Sequence, residues 1–212
     1  MDTIYKQGAR RIGIMGGTFN PIHYGHLVTA ETARVQFDMD QVLFIPSGNP
    51  PHKKDQTIVE TERRYMMTVL AVMSNPDFYA SRIEIDREGY SYSIDTIHEL
   101  QQIYGPKTEI CFITGADAFY SMNTWHRADE LMESCHFIAA TRPGFDKEDL
   151  LRSLTDSMKN NPNLCISFLD VPALSISSSD IRKRIENGLS IRYLLPEPVE
   201  AYIHKYHLYE RK

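Results

Sequence analysis

The chain has 212 residues, of which 42% are hydrophobic and 24% charged, a composition typical of one globular domain that we expect to run over residues 1–212. The formal net charge is −5 and the two signs are interspersed, which argues against a surface that coats nucleic acid. No window approaches the ~18 apolar residues of a membrane span, and the first residues lack an apolar signal-peptide run. We therefore expect a cytoplasmic protein without membrane contact.

Three cysteines, Cys111, Cys135 and Cys165, are far apart in the chain. Each has apolar neighbours, and an odd number of widely spaced thiols does not suggest a disulfide framework. The sequence predicts reduced thiols buried in strands.

The first half of the chain alternates short apolar runs with segments of helical spacing. A continuous apolar run over residues 11–15 predicts the first strand, which ends on Gly16-Gly17. The elements predicted after it are a helix beyond Pro21, a strand over 42–45, a loop over 47–54, a helix whose face carries Met66, Val69, Leu70 and Met73, and a strand over 82–86.

The second half continues the alternation. Ser93 is a plausible N-cap of a helix that ends at Gly105-Pro106, and Ser178 or Ser179 is a plausible N-cap of a helix that ends at Gly188. The other predicted elements are strands over 109–114, 135–140 and 165–169, a short helix near 129–134, a polar surface helix over 146–160 and a last helix over 197–207.

Continuous apolar strands that alternate with helices indicate an α/β protein with a mostly parallel sheet covered on both faces. We expect a Rossmann-like, doubly wound fold with a small helical C-terminal segment over about residues 177–212. Ligands of such sheets bind beyond the carboxyl ends of the strands. The loops over 16–26, 47–54, 115–117 and 142–144 should therefore open on the same edge.

The stretch GGTFNPIHYGH, residues 16–26, follows the first strand. It contains neither the GxxxxGK[ST] phosphate loop nor the GxGxxG dinucleotide fingerprint. Its two glycines still allow the backbone to turn sharply and approach a ligand, and the helix that follows presents free N–H groups to an anion. His23 and His26 flank this anion site.

Three interpretations of the histidine pair remain open from spacing alone. The histidines could be structural, or they could supply two metal ligands, although no nearby Cys, Asp or Glu is spaced to complete a zinc site. They could also be hydrogen-bond donors aimed at a phosphoryl group during its transfer.

A second stretch, ISSSDIR over residues 176–182, favours the phosphoryl interpretation. Serine hydroxyls and free N–H groups at a helix start, with Arg182 one turn later, form another candidate anion site. Lys53-Lys54 adds a third basic element. Three such elements on strand-end loops suggest a site for a polyphosphate, although each alone has an ordinary structural explanation.

These motifs resemble those of a known family. The histidine stretch resembles the [HT]xGH signature of nucleotidyltransferases, and ISSSDIR resembles their ISSTxxR signature. The segments PPHK (50–53), SYSIDT (91–96), GADA (115–118), TWH (124–126), RPG (142–144) and YLLPEPV (193–199) are similar to those of bacterial nicotinate-nucleotide adenylyltransferases. The sequence departs from that pattern at Asn20, where Asp is commoner, and at Ser93, where Thr is commoner.

The resemblance implies adenylyl transfer from ATP to nicotinate mononucleotide, which gives deamido-NAD and pyrophosphate in NAD biosynthesis. It implies Mg²⁺ held mainly by the ATP phosphates, with no protein metal ligand. His23 and His26 would be catalytic. The ATP-binding residues that it implies are Gly16, Gly17, Thr18, Phe19, Lys53, Ser178, Ser179 and Arg182. The nicotinate mononucleotide would contact Ser93, Asp117, Trp125, His126 and Arg142.

Two kinds of alternative stay open. Within the same superfamily, the acceptor could be nicotinamide mononucleotide or phosphopantetheine. From other classes, the chain could be a catalytically silent nucleotide-binding module or a metal-binding regulatory protein. The expected partners are the two small-molecule substrates, and a homo-oligomer is compatible with the sequence.

Overall fold

The computed structural model describes residues 8–49, 58–116, 118, 121–141, 152, 159, 161–172 and 174–211. Its strands are β1 (Arg11–Gly17), β2 (Gln41–Pro46), β3 (Phe78–Ala80), β4 (Glu109–Gly115), β5 (His136–Thr141) and β6 (Ile166–Asp170). Its helices, numbered within these residues, are α1 (Tyr24–Gln36), α2 (Thr61–Val72), α3 (Ser93–Tyr104), α4 (Ala128–Ser134), α5 (Ser178–Glu186) and α6 (Glu197–Lys205), with a 3₁₀ turn at Met122–Thr124. The predicted helix over 146–160 lies outside the described residues, apart from two isolated positions.

The six strands form one parallel sheet in the order β3-β2-β1-β4-β5-β6. The chain winds outward from β1 in one direction and then outward from β4 in the other. The carboxyl ends of β1 and β4 therefore mark the point where the winding reverses, and this is where open α/β sheets bind ligands. The predicted doubly wound α/β fold is confirmed.

Alternate strand residues pack on opposite faces of the sheet, as the period of a strand requires. In β1, Ile12 and Ile14 belong to one buried cluster, and Met15 belongs to the other. Helices α1, α2, α5 and α6 supply apolar residues to the cluster of Met15. Helices α3 and α4 cover the opposite face. Among the helices that the structure describes, none has the length and apolar character that a membrane crossing requires.

The ends of the helices follow local rules, but the predicted N-caps of two helices are each shifted. Tyr92, and not Ser93, occupies the N-cap position of α3, so Ser93 is its first helical residue. Gly105 and Gly188 follow α3 and α5 with positive φ angles of 82° and 67°, which favour glycine. Ser177 is the N-cap of α5, since its side chain accepts a hydrogen bond from the backbone N–H of Asp180 at 3.1 Å. Ser178 and Ser179 are therefore the first two helical residues, and α5 begins one or two residues earlier in the sequence than predicted.

Of two other expectations from the sequence, one is wrong in part and one is wrong. Val69 and Leu70 of the predicted helix face pack against the core, as expected. Met66 and Met73 of the second helix are 42% and 68% exposed, because the buried face of α2 is offset from them and carries Arg64, Met67, Thr68, Ala71 and Val72. Residues 82–86 form a turn and not a strand. The backbone N–H groups of Ile85 and Asp86 both donate to the carbonyl of Arg82, and the Arg82 guanidinium contacts Asp86 and Glu62.

The cysteines fit the prediction in part. All three are free thiols. Cys111 is buried in β4, and Cys135 is buried just before β5. Cys165, which precedes β6, is exposed because it lies at the sheet's amino-terminal rim instead of inside a strand.

Gly13 provides a test of the packing at the centre of the sheet. A Cβ there would lie 2.7 Å from the sulfur of Met39 and 3.0 Å from Cδ1 of Ile113. We expect Gly13→Ala to lower the free energy of unfolding by about 1–3 kcal/mol, because the extra methyl overfills a packed interior. The measurement is denaturant unfolding.

Met39→Ala supplies the control, since it removes the sulfur that Gly13→Ala would meet. The double variant should be more stable than the sum of the two single effects predicts. Additive effects would contradict the proposed contact.

Candidate active site

Two adjoining cavities open at the carboxyl ends of β1 and β4. The histidine cavity has a volume of about 380 Å³, and its lining includes His23, His26 and Ser178. The tryptophan cavity has a volume of about 350 Å³, and its lining includes Trp125 and His126. Both cavities are lined by Gly16, Thr114 and Ala118, so they share a boundary where the two central strands end.

The histidine pair has a defined orientation at the start of α1. The two rings stack, with centroids 3.8 Å apart and an interplanar angle of 27°. Nδ1 of His26 accepts a hydrogen bond from the backbone N–H of His23 at 3.2 Å. Because that N–H is only a donor, a neutral His26 ring must carry its proton on Nε2.

The side chain of His23 is buried, and its Nδ1 has no hydrogen-bond partner within the described parts of the chain. Gly25 makes room for it, since a Cβ at Gly25 would lie 3.0 Å from the His23 ring. A buried polar atom without a partner beside a cavity is satisfied when a ligand supplies the partner.

Both histidines are neutral near pH 7 in the absence of a ligand. Burial lowers the pKa of His23 to about 4. The pKa of His26 is lowered well below its ordinary value, first by burial and then by the charge of His23. A neutral imidazole still donates one N–H, so the pair can hydrogen-bond an anionic ligand without carrying charge beforehand.

The β1–α1 loop and α5 are joined although about 160 residues separate them. The Ser178 hydroxyl donates to the carbonyl of Pro21 at 2.8 Å, and the Arg182 guanidinium donates to the carbonyl of Asn20 at 2.8 Å. The two predicted anion-binding stretches therefore meet at one place. Arg182 also contacts the hydroxyl of Ser179 at 3.3 Å, and neither of these two residues lines either cavity.

Phe19 packs against the histidine pair. Its side chain is 2% exposed, and its ring meets His26 edge-on with centroids 5.1 Å apart. Its side chain lines neither cavity. A role for Phe19 in ATP binding stays a prediction.

Three of the five residues predicted for the mononucleotide, Ser93, Trp125 and His126, line the tryptophan cavity. Gly17 at the end of β1 and Thr18 after it also line this cavity and not the histidine cavity, although they were predicted for ATP. The Trp125 ring is partly buried, with Phe112 edge-on at 6.1 Å. The imidazole of His126 lies 4.2 Å from the ring of Tyr92. Aromatic rings around a small cavity suit a flat heteroaromatic ligand.

Glu84 is a lining residue of the tryptophan cavity that the sequence analysis missed. Its carboxyl is 8% exposed and accepts a hydrogen bond from the Thr96 hydroxyl at 2.9 Å. Burial raises the pKa of this carboxyl, and the hydrogen bond from Thr96 opposes that rise. Glu84 was not recognised as a site residue because residues 82–86 alternate in polarity, which predicted a strand there.

Arg64 is a second residue that was missed. It is 1% exposed, and its guanidinium donates to the carbonyls of Thr18 at 2.8 Å and Ser47 at 2.7 Å, both of which line the tryptophan cavity. It also donates to the carbonyl of Val59 at 3.1 Å. The spacing of Arg64 from Met67 and Ala71 could have predicted its burial, because these three positions share one face of α2.

Three residues assigned from the resemblance lie outside the described parts of the chain. They are Lys53, Asp117 and Arg142. Their roles stay predictions.

Comparison with known proteins identifies the class. A family model described as Cytidylyltransferase-like matches residues 14–184, a span that contains the histidine pair, both cavities and α5 as far as Arg184. The chain therefore belongs to the cytidylyltransferase-like family.

Curated relatives narrow this assignment. The chain is 55% identical over 201 residues to a protein named "Probable nicotinate-nucleotide adenylyltransferase" from Thermoanaerobacter sp. (strain X514), covering 95% of each chain. It is also 55% identical over 212 residues to a protein of the same name from Moorella thermoacetica, covering 99% of this chain and 95% of the relative. Within the class, it is a member of the nicotinate-nucleotide adenylyltransferases.

Solved structures agree on the fold. The chain is similar to the Plasmodium falciparum nicotinic acid mononucleotide adenylyltransferase complexed with NaAD, with a TM-score of 0.76. The identity is 21%, and the match covers 94% of this chain and 97% of the other.

The burial of His23 predicts a specific pH dependence of stability. Its pKa is about 4 in the folded chain and ordinarily 6.5, so the unfolded chain binds the proton first as the pH falls. Stability should be complete above about pH 6.5 and decrease toward pH 4. His23→Gln should reduce the loss between pH 7 and pH 5 by about 2 kcal/mol, measured by denaturant unfolding at each pH.

His204→Gln is the matched control, because the His204 side chain is 58% exposed on α6. It should keep the wild-type dependence. Parallel curves for wild type and His23→Gln would show that His23 is not held neutral by burial.

Proposed function

We propose that this chain transfers the adenylyl group of ATP to the phosphate of nicotinate mononucleotide, releasing pyrophosphate and forming deamido-NAD in cytoplasmic NAD biosynthesis. ATP occupies the histidine cavity and the mononucleotide occupies the tryptophan cavity. The single observation that carries this arrangement is the shared boundary at Gly16, Thr114 and Ala118, where ligands in the two cavities would meet.

The chemistry needs positioning more than it needs acid or base. The attacking group is a phosphate oxygen, which is already ionised near neutral pH because the second pKa of a phosphate monoester is about 6. A bond forms between this oxygen and the α-phosphorus of ATP, and the bond from the α-phosphorus to the bridging oxygen breaks. Pyrophosphate leaves with the electron pair, so no general base or covalent enzyme intermediate is needed.

His23 and His26 stabilise the negative charge that accumulates on the transferring phosphoryl group. Nε2–H of His26 is the donor left available once Nδ1 accepts the backbone hydrogen bond from His23. Because the rings are neutral beforehand, they do not attract a competing anion by net charge. Donors fixed in a partly dehydrated site stabilise a transition state without reorganisation.

The residues around the histidine cavity are compatible with Mg²⁺ that is bound by ATP and not by the protein. The described residues that line the histidine cavity include no carboxylate, so they cannot form a protein cage for a hard divalent ion. We therefore assign Mg²⁺ to the triphosphate and water, where it neutralises phosphate charge. The protein contributes N–H and hydroxyl donors.

The remaining roles in this proposal are those that the family resemblance implies. Gly16, Gly17 and Thr18 bring the β1–α1 backbone close to the phosphates, while Ser178, Ser179 and Arg182 hold the triphosphate from α5. Ser93, Trp125 and the backbone N–H of His126 frame the nicotinate ring. Lys53, Asp117, Arg142 and Phe19 complete the proposed contacts.

His26→Ala tests the donor role. We expect turnover to fall by about 10²–10³, the range for loss of one transition-state donor, with the fold retained by circular dichroism. ATP affinity, measured by calorimetry, should change far less than turnover, because the donor acts mainly on the transition state. His204→Ala is the control and should keep the wild-type rate. A folded His26→Ala enzyme with normal turnover would refute this role.

The substrate assignment is tested by supplying Mg-ATP with nicotinate mononucleotide, nicotinamide mononucleotide or phosphopantetheine in parallel. Pyrophosphate release should be fastest with nicotinate mononucleotide. A higher kcat/KM with either of the others would reassign the acceptor. ATP binding without pyrophosphate release from any of the three would indicate a silent nucleotide-binding module.

A further inference from the structure

Glu109, Cys111 and His136 form a cluster at the amino-terminal end of the sheet, and none of the three lines either cavity. Cys111 and His136 are partners in the register of β4 and β5, and Glu109 is on the same side of β4 as Cys111. Along β4, Ile113 and Gly115 line the histidine cavity two and four positions beyond Cys111, which corresponds to about 7 Å and 13 Å.

We propose that this cluster is a zinc-binding site with three protein ligands: a carboxylate oxygen of Glu109, the sulfur of Cys111 and Nδ1 of His136. A water molecule takes the fourth position. Mixed nitrogen, sulfur and oxygen donors suit Zn²⁺ better than the oxygen-preferring Mg²⁺ or Ca²⁺.

The geometry of the three ligand atoms is close to that of a tetrahedral zinc face. Nδ1 of His136 lies 3.0 Å from Oε1 of Glu109, and the Cys111 sulfur lies 4.0 Å from each of these atoms. Zinc bonds of about 2.0–2.3 Å at tetrahedral angles separate such ligand atoms by about 3.3–3.6 Å. Shifts of about half an ångström in each pair would therefore complete the site.

The contacts that Glu109 makes with Arg11 use only one of its two carboxylate oxygens. Arg11 binds this oxygen, Oε2, through Nε at 2.7 Å and through Nη2 at 2.6 Å. This pairing fixes the carboxylate plane and directs Oε1 toward the cluster. A ligand oriented by an outer hydrogen bond binds its metal more tightly than a freely rotating one.

The other nitrogen of His136 is also held. Nε2 lies 2.9 Å from the hydroxyl of Ser167 on β6. A hydroxyl donates or accepts, so it supports either tautomer of the ring. When Nδ1 binds zinc, Nε2–H donates to Ser167, which is the outer arrangement usual for a metal-bound histidine.

Solvent access and a nearby helix end favour a cation at this position, against the opposing charge of Arg11 at Oε2 of Glu109. The Glu109 side chain is 40% exposed, which gives solvent access, whereas Cys111 is fully buried behind it. The carboxyl-terminal end of α1 is close by, since the Arg11 guanidinium donates to the carbonyl of Phe37 and the Phe37 ring is edge-on to His136. That end of a helix carries partial negative charge.

Binding involves a proton and no electron transfer. The Cys111 S–H bond breaks, the sulfur–zinc bond forms, and the proton passes to solvent. Zinc and sulfur keep their oxidation states. The Glu109 carboxylate and the new thiolate offset the charges of Zn²⁺ and Arg11 in part.

The test uses the full-length chain after dialysis against a chelator. Titration with Zn²⁺ against a chromophoric competitor should give one tight site per chain. Co²⁺ in place of Zn²⁺ should give a thiolate-to-metal charge-transfer band, which a site without a cysteine ligand lacks. Both readouts are independent of adenylyl transfer, so the failure of either proposal is distinguishable from failure of the other.

Four variants assign the ligands. Glu109→Gln and Cys111→Ser should each remove tight binding, and Ser167→Ala should weaken it by about tenfold through loss of the outer contact. Cys165→Ser is the matched thiol control, because Cys165 is exposed and outside the ligand set. It should bind Zn²⁺ as the wild type does.

Circular dichroism establishes that each variant is folded, and His136→Gln takes the place of Cys111→Ser if the latter does not fold. The proposal is overturned if the wild type lacks a tight site. It is also overturned if Glu109→Gln and Cys111→Ser bind normally, or if only Cys165→Ser or His26→Ala loses binding. Adenylyl transfer should keep its wild-type rate in Glu109→Gln.

Discussion

The candidate active site depends on how the loop between β1 and α1 is held. Main-chain carbonyls in this loop accept hydrogen bonds from side chains of two distant helices, α2 on one side and α5 on the other. The donor–acceptor pairs are Arg64 with Thr18, Arg182 with Asn20, and Ser178 with Pro21. With its carbonyls occupied in this way, the loop can present N–H groups, glycine backbone and the two histidines to a ligand.

The electrostatics of the site follow from this closed loop. Packing by Phe19 and stacking of the two imidazole rings exclude water from the histidines, and this desolvation keeps both rings neutral. Neutral donors do not need to shed a bound counterion before substrate enters. In the arrangement proposed above, the negative charge of two phosphate-bearing substrates is balanced by the cation that accompanies ATP and by α5, through its N-terminal dipole and the guanidinium of Arg182.

Much of the fold was predictable because its signals are local and strong. Continuous apolar strands, Gly105 and Gly188 after helices, and serines before α5 each have one dominant physical explanation. The alternating polarity of residues 82–86 wrongly predicted a strand. In the structure these residues form a turn in which Arg82 pairs with Asp86 and Glu62, and such pairing cannot be read from alternating polarity. Arg64 and Glu84 were missed because burial of a charged group is decided by partners distant in sequence.

The candidate site was predictable only in part, because some of its contacts also depend on residues distant in sequence. The motifs pointed to His23, His26 and Ser178, and the family resemblance pointed to Trp125; each of these lines a cavity. It did not reveal that Phe19 supports a histidine ring or that Arg182 bonds to a carbonyl of the β1–α1 loop. Those contacts depend on the path of the loop, which is fixed only once the remote helices have packed.

The boundary between the two cavities has an evolutionary implication at Gly16. An added Cβ at this position would have Phe112 as its nearest neighbour at 3.8 Å, so the interior tolerates a methyl group there. Packing around Gly16 would therefore accommodate alanine. Under the proposed arrangement, a larger side chain at this position would project between the two substrates and act as a partition.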